Sequence, residues 1–339
     1  MKKLPLGQRR AVGVAEGAPV RSRYLQPEQT LPLVIEPDVE GVNLMSWANA
    51  NKQFIETQLL KHGAILFRGF SLNSVAHFEQ LASAMASELM PYRERSSPRS
   101  QVGNRVYTST DYPAEQSIFP HNEHSYSRTI PLRLFFFCMV PAQQGGETPI
   151  GDCRKIFNRI DPHIREQFAR KKYMYVRNFG DGFGLPWQTA FQTTDRTIVE
   201  SYCRANDIEF QWKEDDRLRT AQVRPAIARH PRTGEMVWFN HATFFHVSTL
   251  EPQIRDGLLA QFEIEDLPNN TYYGDGSPIE PAVLDELRHA YQQETVTFSW
   301  QQGDLIMLDN MLTSHSRNPF VGPRKILFAM GDIYRREDF

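Results

Sequence analysis

The chain has 339 residues and a formal net charge of −2, so no excess of charge indicates a nucleic acid or a membrane surface as its partner. Hydrophobic residues make up 40% of the chain, enough for a core of ordinary size, but the longest apolar run, residues 134–140, is far too short to cross a bilayer. Three cysteines without CxxC spacing argue against a disulfide framework or a structural zinc site and favour a reducing compartment. Because no apolar signal-peptide core lies near the N-terminus, we expect a cytoplasmic protein.

The first part of the chain predicts an arm, two helices and a short strand. Residues 1–30 mix Gly, Pro, Arg and Gln without apolar periodicity, which is typical of a loosely structured N-terminal arm. Residues 47–62 have the spacing of an amphipathic helix, residues 63–70 predict a short buried strand closed by glycine, and residues 75–89 predict a second helix. We expect residues 31–339 to form a single domain.

The middle and end of the chain are rich in predicted strands. β-branched and aromatic residues predict strands at residues 105–108, 132–140, 173–176 and 237–239, with glycine- and proline-containing turns between them. Helices are predicted at residues 161–171 and 281–292. Two further strands, residues 304–308 and 325–330, flank a predicted loop that carries His315. Because no internal repeat or linker interrupts this pattern, one β core decorated by helices is the simplest fold.

Three of the side chains predict a metal site. His121 and Glu123 lie two residues apart, so both side chains point to one face if the segment is extended. This pair alone is a weak signal, because ten histidines and forty acidic residues produce it by chance. His315 supplies a third ligand from far along the chain. Two histidines and one carboxylate leave the opposite face of a metal open, as in non-haem Fe(II) oxygenases, so we predict these three residues as metal ligands and catalytic centre.

The other histidines fit a metal site less well. In a strand, His124 would face away from His121. His241 and His246 lack a neighbouring carboxylate and have a poor spacing for one face, so we expect them in the core or in a substrate pocket. The remaining histidines are expected at the surface, in helices or turns: His62, His77, His163, His230 and His289.

Two further segments predict a site for an anion. Gly145 and Gly146 indicate a tight turn, and the hydroxyl of Thr148 just after it is suited to hydrogen-bond a bound carboxylate. Arg324 enters an apolar strand, and a buried arginine requires an anion. Because a planar guanidinium binds a carboxylate with two N–H groups, Arg324 is a candidate for holding the distal carboxylate of a dicarboxylate cosubstrate.

Together these segments resemble the TauD/TfdA (taurine dioxygenase) family of Fe(II)/2-oxoglutarate-dependent oxygenases, and within it the SyrP-like branch associated with non-ribosomal peptide biosynthesis. The resemblance covers most of the chain, residues 63–330. It rests on a combination of motifs: His121-Asn122-Glu123, Gly145-Gly146-Glu147-Thr148, Trp238-Phe239-Asn240, Tyr273-Gly274-Asp275-Gly276, Trp300-x-x-Gly303-Asp304, Leu308-Asp309-Asn310 and His315-Ser316-Arg317-x-Pro319-Phe320.

The resemblance implies a mainly β fold with flanking helices, the double-stranded β-helix or jelly-roll. It also implies Fe(II) held by His121, Glu123 and His315, with 2-oxoglutarate as cosubstrate and O2 as oxidant. Much of the family has Asp where this chain has Glu123. Because the related halogenases replace this carboxylate with a small residue, Glu123 argues for hydroxylation and against halogenation.

The resemblance further implies that Thr148 and Arg324 grip the other end of the cosubstrate. The interval between the second histidine ligand and Arg324 is shorter than in several family members. Lys325 or Arg317 could therefore share or replace the role of Arg324.

The implied activity is hydroxylation of an unactivated C–H bond of an amino acid, free or bound to a carrier protein, in natural-product biosynthesis. Desaturation or another oxidative tailoring at the same site is an alternative, and a cupin-like metal-dependent isomerase or hydrolase is a second. Arg128, Arg177 and Asn240 lie near predicted strand ends and are candidate substrate contacts, although such residues more often serve structural hydrogen bonds. The sequence shows no docking surface for a carrier and does not indicate an oligomeric state.

Overall fold

The computed structural model describes residues 19–92, 94, 99–180 and 182–336. Its strands, in chain order, are β1 (Val20–Gln26), β2 (Gln29–Pro37), β3 (Ala64–Phe67), β4 (Gln101–Gly103), β5 (Val106–Thr108), β6 (Ile118–His121), β7 (Thr129–Val140), β8 (Gln144–Gly145), β9 (Ile150–Asp152), β10 (Tyr173–Phe179), β11 (Glu209–Trp212), β12 (Leu218–Arg224), β13 (Ile227–Arg229), β14 (Met236–Trp238), β15 (Asn269–Tyr273), β16 (Thr295–Val296), β17 (Leu305–Asp309), β18 (Thr313–Arg317), β19 (Phe320–Val321) and β20 (Lys325–Arg335).

The helices, in chain order, are α1 (Leu44–Ala50), α2 (Lys52–His62), α3 (Val75–Met85), α4 (Cys153–Arg159), α5 (Pro162–Lys171), α6 (Trp187–Phe191), α7 (Arg196–Ala205), α8 (Pro252–Gln261) and α9 (Pro281–Glu294), with one 3₁₀ turn at Val247–Thr249. Within the described ranges, no helix combines the length and the apolar character needed to cross a membrane.

The largest sheet has eight strands in the order β1-β2-β3-β17-β7-β20-β5-β4. Only β2 and β3 pair in parallel; the other neighbours are antiparallel. Both faces of this sheet are apolar. In β7, Phe135 and Phe137 pack against α1–α3, whereas Leu134, Phe136 and Cys138 point to the opposite side. Successive side chains of a strand alternate between faces, so a strand that is buried on both sides appears in the sequence as a continuous apolar run.

A second sheet, β16-β9-β18-β6, covers the inner face of the large sheet. Ile150 of β9 and Val296 of β16 belong to the same apolar cluster as Phe136 of β7 and Phe328 of β20. The two sheets therefore enclose one core, with α1–α3 on the outside of the large sheet. The predicted double-stranded β-helix with flanking helices is confirmed.

A third sheet, β11-β12-β10-β15, lies beside this core. Tyr173 and Tyr175 of β10 pack with Phe168 of α5 and Leu287 of α9 in one buried cluster. The loops around this sheet, together with α8, form the outer wall of the largest cavity described below.

The predicted helix at residues 47–62 is two helices, α1 and α2, which meet at Asn51. The side chain of Asn51 bonds to the Trp47 carbonyl at 2.8 Å, so it competes with the backbone bonds of a continuous helix. At the other end, Gly63 closes α2 with φ of 77°, a conformation that glycine adopts without strain.

Two other expectations differ from the structure. Of the predicted loose arm, residues 1–18 lie outside the described residues, whereas Val20–Gln26 form the edge strand β1, paired with β2. His315 lies within a strand, β18, instead of in a loop. All five residues of β18 are buried and all five are polar, so apolar periodicity does not reveal this strand.

Candidate functional site

The predicted metal ligands converge where β6 meets β18. His315 lies directly opposite His121 in this antiparallel pair, with their ring centroids 4.4 Å apart. Glu123 follows in the turn after β6, where its Oε2 lies 3.8 Å from His315 Nε2. One ligand atom from each residue lies within 4.8 Å of the other two. Strand pairing and a turn, rather than alternation along one strand, bring the three together.

The backbone of Glu123 is held by the side chain of Asn310. The Asn310 carboxamide accepts from Glu123 N and donates to Glu123 O, both at 2.8 Å, and it also donates to Pro131 O. In return, the Asn122 amide donates to the Asn310 carbonyl at 2.7 Å. Through these buried bonds, Asn310 of the Leu308-Asp309-Asn310 motif holds the turn at Asn122 and Glu123, and so orients the Glu123 carboxylate.

Two of the histidines expected at the surface are buried. His230 is 1% exposed, and its Nε2 lies 3.1 Å from Asp309 Oδ2, next to the Asn310 that holds the ligand turn. His62 is also buried, with its Nδ1 2.9 Å from the Thr30 carbonyl. The expectation that these two histidines lie at the surface was wrong. Both occupy segments with ordinary surface composition, and the partners that bury them are distant in sequence, so a local pattern does not reveal their burial.

The electrostatics of the triad favour metal binding. Burial lowers the pKa of His121 and holds that of His315 well below its ordinary value, so both imidazoles are neutral near pH 7. Burial opposes ionisation of Glu123, but the charge of Arg99 outweighs it and keeps the pKa of this carboxyl low. The site therefore presents two neutral imidazoles and one carboxylate, the form in which these groups bind metals.

The donor set fits a divalent iron. His121 Nδ1 lies 2.9 Å from the Phe119 carbonyl, and because a carbonyl only accepts, Nδ1 carries the proton and Nε2 keeps its lone pair. Two imidazoles and one carboxylate, grouped on one side, leave positions for other ligands and are characteristic of Fe(II) oxygenases. His124 is not part of this group: its Nε2 lies 3.9 Å from Glu123 Oε1, and its ring packs against Tyr92.

A narrow cleft leads from the triad to Thr148 and Arg324. Arg324 Nη2 lies 3.4 Å from Thr148 Oγ1, and its Nε donates to Gly146 O at 2.8 Å. Burial, with the nearby charge of Arg317, lowers the pKa of Arg324 to about 10, as expected for a guanidinium without an acidic partner in contact. The free volume of the cleft is about 30 Å³, so its side chains must spread to admit a dicarboxylate.

The two alternatives to Arg324 have other surroundings. Arg317 also lines the cleft, but its Nη atoms donate to the carbonyls of Tyr112, Pro113 and Gln116. Lys325 is exposed at the start of β20 and does not line the cleft. Of the three cations, Arg324 is the one that lies against Thr148 in the cleft.

On its other side the triad opens into a cavity of about 740 Å³. His121 and Glu123 lie at its inner end, and the ring of Phe244 lies 4.5 Å from that of His121. His241 and His246 also line the cavity, as expected for pocket residues. Its remaining wall is mainly apolar and includes side chains from α8 and from the loop before α6: Ile254, Leu258, Phe183 and Leu185.

The three predicted substrate residues lie outside the lining of this cavity. Arg128 forms an ion pair with Asp207 at 2.5 Å. Arg177 is buried in β10 with its guanidinium 4.5 Å from the ring centre of Phe179. Asn240 donates to Ala226 O and accepts from Ala242 N, which makes it a brace for the segment leading to His241.

Arg99, which the sequence analysis did not single out, contacts the triad directly. Its Nη2 donates to Glu123 Oε2 at 2.9 Å, and both side chains are at most 4% exposed. Arg99 lines both the cleft and the large cavity. It follows a polar segment of arginine, serine and proline, which is typical of a solvated loop, so no local pattern signals its burial.

Comparisons with known proteins agree with this geometry. A family model described as taurine catabolism dioxygenase TauD, TfdA family matches residues 22–330. The chain is 42% identical over 278 residues to the dapdiamide synthesis protein DdaC of Enterobacter agglomerans. This match covers 82% of this chain and 84% of that protein. It is 26% identical over 330 residues to a clavaminate synthase-like protein of Arabidopsis thaliana, covering 92% and 97%.

Among solved structures, the fold is similar to that of PvcB, an Fe, alpha-ketoglutarate dependent oxygenase from an isonitrile synthetic pathway. The TM-score is 0.54 at 17% identity, with 94% of this chain and 93% of that chain covered. It is also similar to AAD-2 in complex with Mn(II) and N-oxalylglycine, with a TM-score of 0.53 at 13% identity and coverage of 92% and 96%. At these identities the likeness concerns the fold alone.

Proposed function

Because the chain belongs to the taurine catabolism dioxygenase TauD, TfdA family and is an Fe(II)- and 2-oxoglutarate-dependent oxygenase, we propose that it hydroxylates an unactivated C–H bond of an amino acid or amino-acid derivative in natural-product biosynthesis. One observation carries the proposal: a triad of two histidines and a carboxylate stands between a cleft that ends at an arginine and a large, mainly apolar cavity. The relative named as a dapdiamide synthesis protein supports a biosynthetic role.

In this proposal His121, Glu123 and His315 hold Fe(II), and Thr148 and Arg324 bind the distal carboxylate of 2-oxoglutarate. When bound, iron and cosubstrate supply the oxidising power, with succinate and CO2 as coproducts. The chain supplies position: strand pairing fixes the two imidazoles, and the Arg324 guanidinium sets how far the dicarboxylate lies from the triad.

In this proposal, the apolar wall of the large cavity also keeps water away from the triad. Side chains such as Phe244 exclude water from the space beside the triad, so a substrate C–H bond, rather than solvent, lies next to the open metal face. A cavity of about 740 Å³ is within the range of roughly 300–1,000 Å³ that suits ligands larger than a free amino acid. An acylated or carrier-bound amino acid would fill it better than a free one.

The proposal predicts a spectroscopic signature. Anaerobic addition of 2-oxoglutarate to the Fe(II)-loaded protein should produce a visible charge-transfer band, because the cosubstrate binds the metal beside the triad. His315→Ala should abolish the band by removing one of the three ligands. The matched control is His289→Ala, on α9 and away from the triad, which should keep it. An unchanged band in His315→Ala would contradict the assigned ligands.

The reaction itself is tested by substrate-dependent succinate formation. We expect free or carrier-bound amino acids, or their acyl derivatives, to stimulate succinate release and to gain one oxygen atom by mass. A product that has lost two hydrogens instead would identify the desaturase alternative at the same site. Family membership leaves no support for the cupin-like isomerase or hydrolase.

A further inference from the structure

Arg99 is a buried cation at the junction of the cleft and the large cavity. Its guanidinium lies 4.0 Å from the ring centre of Phe328 and 5.0 Å from that of Tyr92, which fixes its plane. One nitrogen, Nη2, donates to Glu123. Its Nε and Nη1 are also buried and make no hydrogen bond to any of the residues that the structure describes. A guanidinium that is fully buried but only partly bonded has donors left for another acceptor.

The charges around the triad indicate what that acceptor is. The two positive charges of Fe(II) and the one on Arg324 balance the three negative charges of Glu123 and the 2-oxoglutarate dianion. Around Arg324, the further charges of Arg317 and Glu147 act in opposite directions. The charge of Arg99 is then left over among buried side chains. Because an uncompensated buried charge is strongly unfavourable, the complete complex requires one more anion.

We propose that Arg99 binds a carboxylate of the substrate, held beside the open face of the metal site by the N–H groups that Glu123 leaves free. The position fits this role because Arg99 borders the cavity that contains the substrate in the proposed function, on which this inference rests. A planar guanidinium that is fixed by two aromatic rings holds a carboxylate in one orientation, which sets the carbon that faces the metal.

The inference narrows the substrate class to carboxylic acids whose carboxylate lies near the oxidised carbon. An amino acid that is tethered through a thioester has lost its α-carboxylate to the linkage. A carrier-bound substrate would therefore need an acidic side chain or acyl group, whereas a free or N-acylated amino acid would present its α-carboxylate to Arg99.

The test compares matched carboxylates and carboxamides. Wild-type protein is loaded anaerobically with Fe(II) and 2-oxoglutarate, and its visible band is titrated with free and N-acetylated amino acids, each with its primary amide, including the aspartate–asparagine and glutamate–glutamine pairs. We expect carboxylates to perturb the band at concentrations about 10- to 100-fold lower than their amides, as for a charge-assisted hydrogen bond in a buried site. Equal response to acid and amide, or no response to any carboxylate, would overturn the proposal.

Variants of Arg99 then show whether this residue causes the preference for carboxylates over amides. Arg99→Gln should remove the preference. Arg99→Lys should keep part of it, since lysine retains the positive charge but lacks the planar guanidinium. The ratio of acid to amide is measured within one protein, so it is independent of any change in metal affinity. Arg128→Gln, whose guanidinium pairs with Asp207 outside the cavity lining, is the control and should retain the preference.

Two results would count against Arg99. A preference that persists in Arg99→Gln places the substrate carboxylate elsewhere. If Arg99→Gln binds 2-oxoglutarate more weakly but still prefers carboxylates to amides, the Arg99 guanidinium binds the cosubstrate instead of the substrate. The proposed function fails separately: in that case wild-type protein shows no iron-dependent band with 2-oxoglutarate, before any substrate is added.

Discussion

Arg324 lies against an oxygen-rich wall, since it donates to a carbonyl and to the Thr148 hydroxyl, yet no carboxylate of the described residues contacts it. A buried guanidinium in this state gains most from an anionic ligand. The contribution of Arg324 to the binding of an anionic ligand can therefore be measured by substituting this residue, with the adjacent Lys325 as the comparison.

Arg324→Ala should raise the dissociation constant of 2-oxoglutarate by about 10- to 100-fold, because a charge-assisted hydrogen bond pair to the distal carboxylate is lost. Lys325→Ala is the matched control, since that side chain is exposed next to Arg324 and does not line the cleft, and it should leave the affinity unchanged. Anaerobic titration of the charge-transfer band measures both. If Arg324→Ala binds normally while Arg317→Ala or Lys325→Ala does not, the anion is held by one of these residues.

At the scale of single residues, the sequence predicted the side chains that the structure brings together. His121, Glu123 and His315 converge, and Thr148 and Arg324 contact each other. All of them except Arg324 lie in motifs whose combination is specific, and Arg324 was predicted from its entry into an apolar strand. Arg99 was not predicted, because it belongs to none of the motifs and its contact with Glu123 depends on how the chain returns after β3 and α3.

At the scale of elements, the turn at Gly145 and Gly146 was predicted from glycine alone, and both residues have positive φ, 66° and 70°. This turn places the Gly146 carbonyl against Arg324 Nε. A Cβ on Gly146 would lie 3.0 Å from Arg324 Cδ, closer than an ordinary contact. The turn therefore controls the position of Arg324, the side chain proposed to bind the anion.

Gly146→Ala should raise the KM for 2-oxoglutarate about tenfold or more, because the added methyl group pushes Arg324 away from its position in the cleft. Gly182→Ala is the matched control: its φ is also positive, 81°, but a Cβ there meets nothing within 4 Å. Both variants should lose about 1–2 kcal/mol of stability from backbone strain, and only the first should affect the cosubstrate. Equal KM values for the two variants would contradict this account.

The elements that the sequence did not predict share a physical cause. The break between α1 and α2 depends on one side-chain bond of Asn51, which a periodicity count over residues 47–62 does not register. The strand around His315 is buried but polar, and its hydrogen bonds come from β6 and β9, which lie far away in sequence. In both places tertiary partners, rather than local propensity, determine the structure.

At the scale of the molecule, the jelly-roll was expected only through the family resemblance. The order β3-β17-β7-β20 interleaves strands from the two ends of the chain, and no pattern along the sequence states which strands are neighbours. These two strands were predictable because β7 and β17 each contain a continuous apolar run, residues 134–140 and 305–308.

The buried histidines predict how the stability of the whole molecule depends on pH. Burial lowers the pKa of six of them: His62, His121, His124, His241, His246 and His315. For His246 the pKa falls to about 4. Since the unfolded chain binds protons on histidine below about pH 6.5 and the folded chain does not, folding is favoured above that pH and loses free energy as the pH falls.

Metal-free protein in chelator should therefore show a free energy of unfolding that is level above about pH 7. Between pH 6.5 and 5 it should fall by up to about 1.4 kcal/mol per pH unit for each histidine that stays neutral. Urea unfolding at several pH values measures this. His62→Gln should reduce the slope, and His77→Gln, at an exposed position, should not. A stability that is constant from pH 7.5 to 5.5 would contradict the burial of these imidazoles in the neutral form.

The position of β7 between β17 and β20 also constrains how the protein is made. Both neighbours of this phenylalanine-rich strand lie near the C-terminal end, so it has no partner while the nascent chain is still being extended on the ribosome. An unpaired strand that is apolar on both faces is a template for association between chains, and long-range pairings form slowly. We expect β7 to be the segment that chaperones must shield during synthesis, and chains that stop before β17 to accumulate in inclusion bodies.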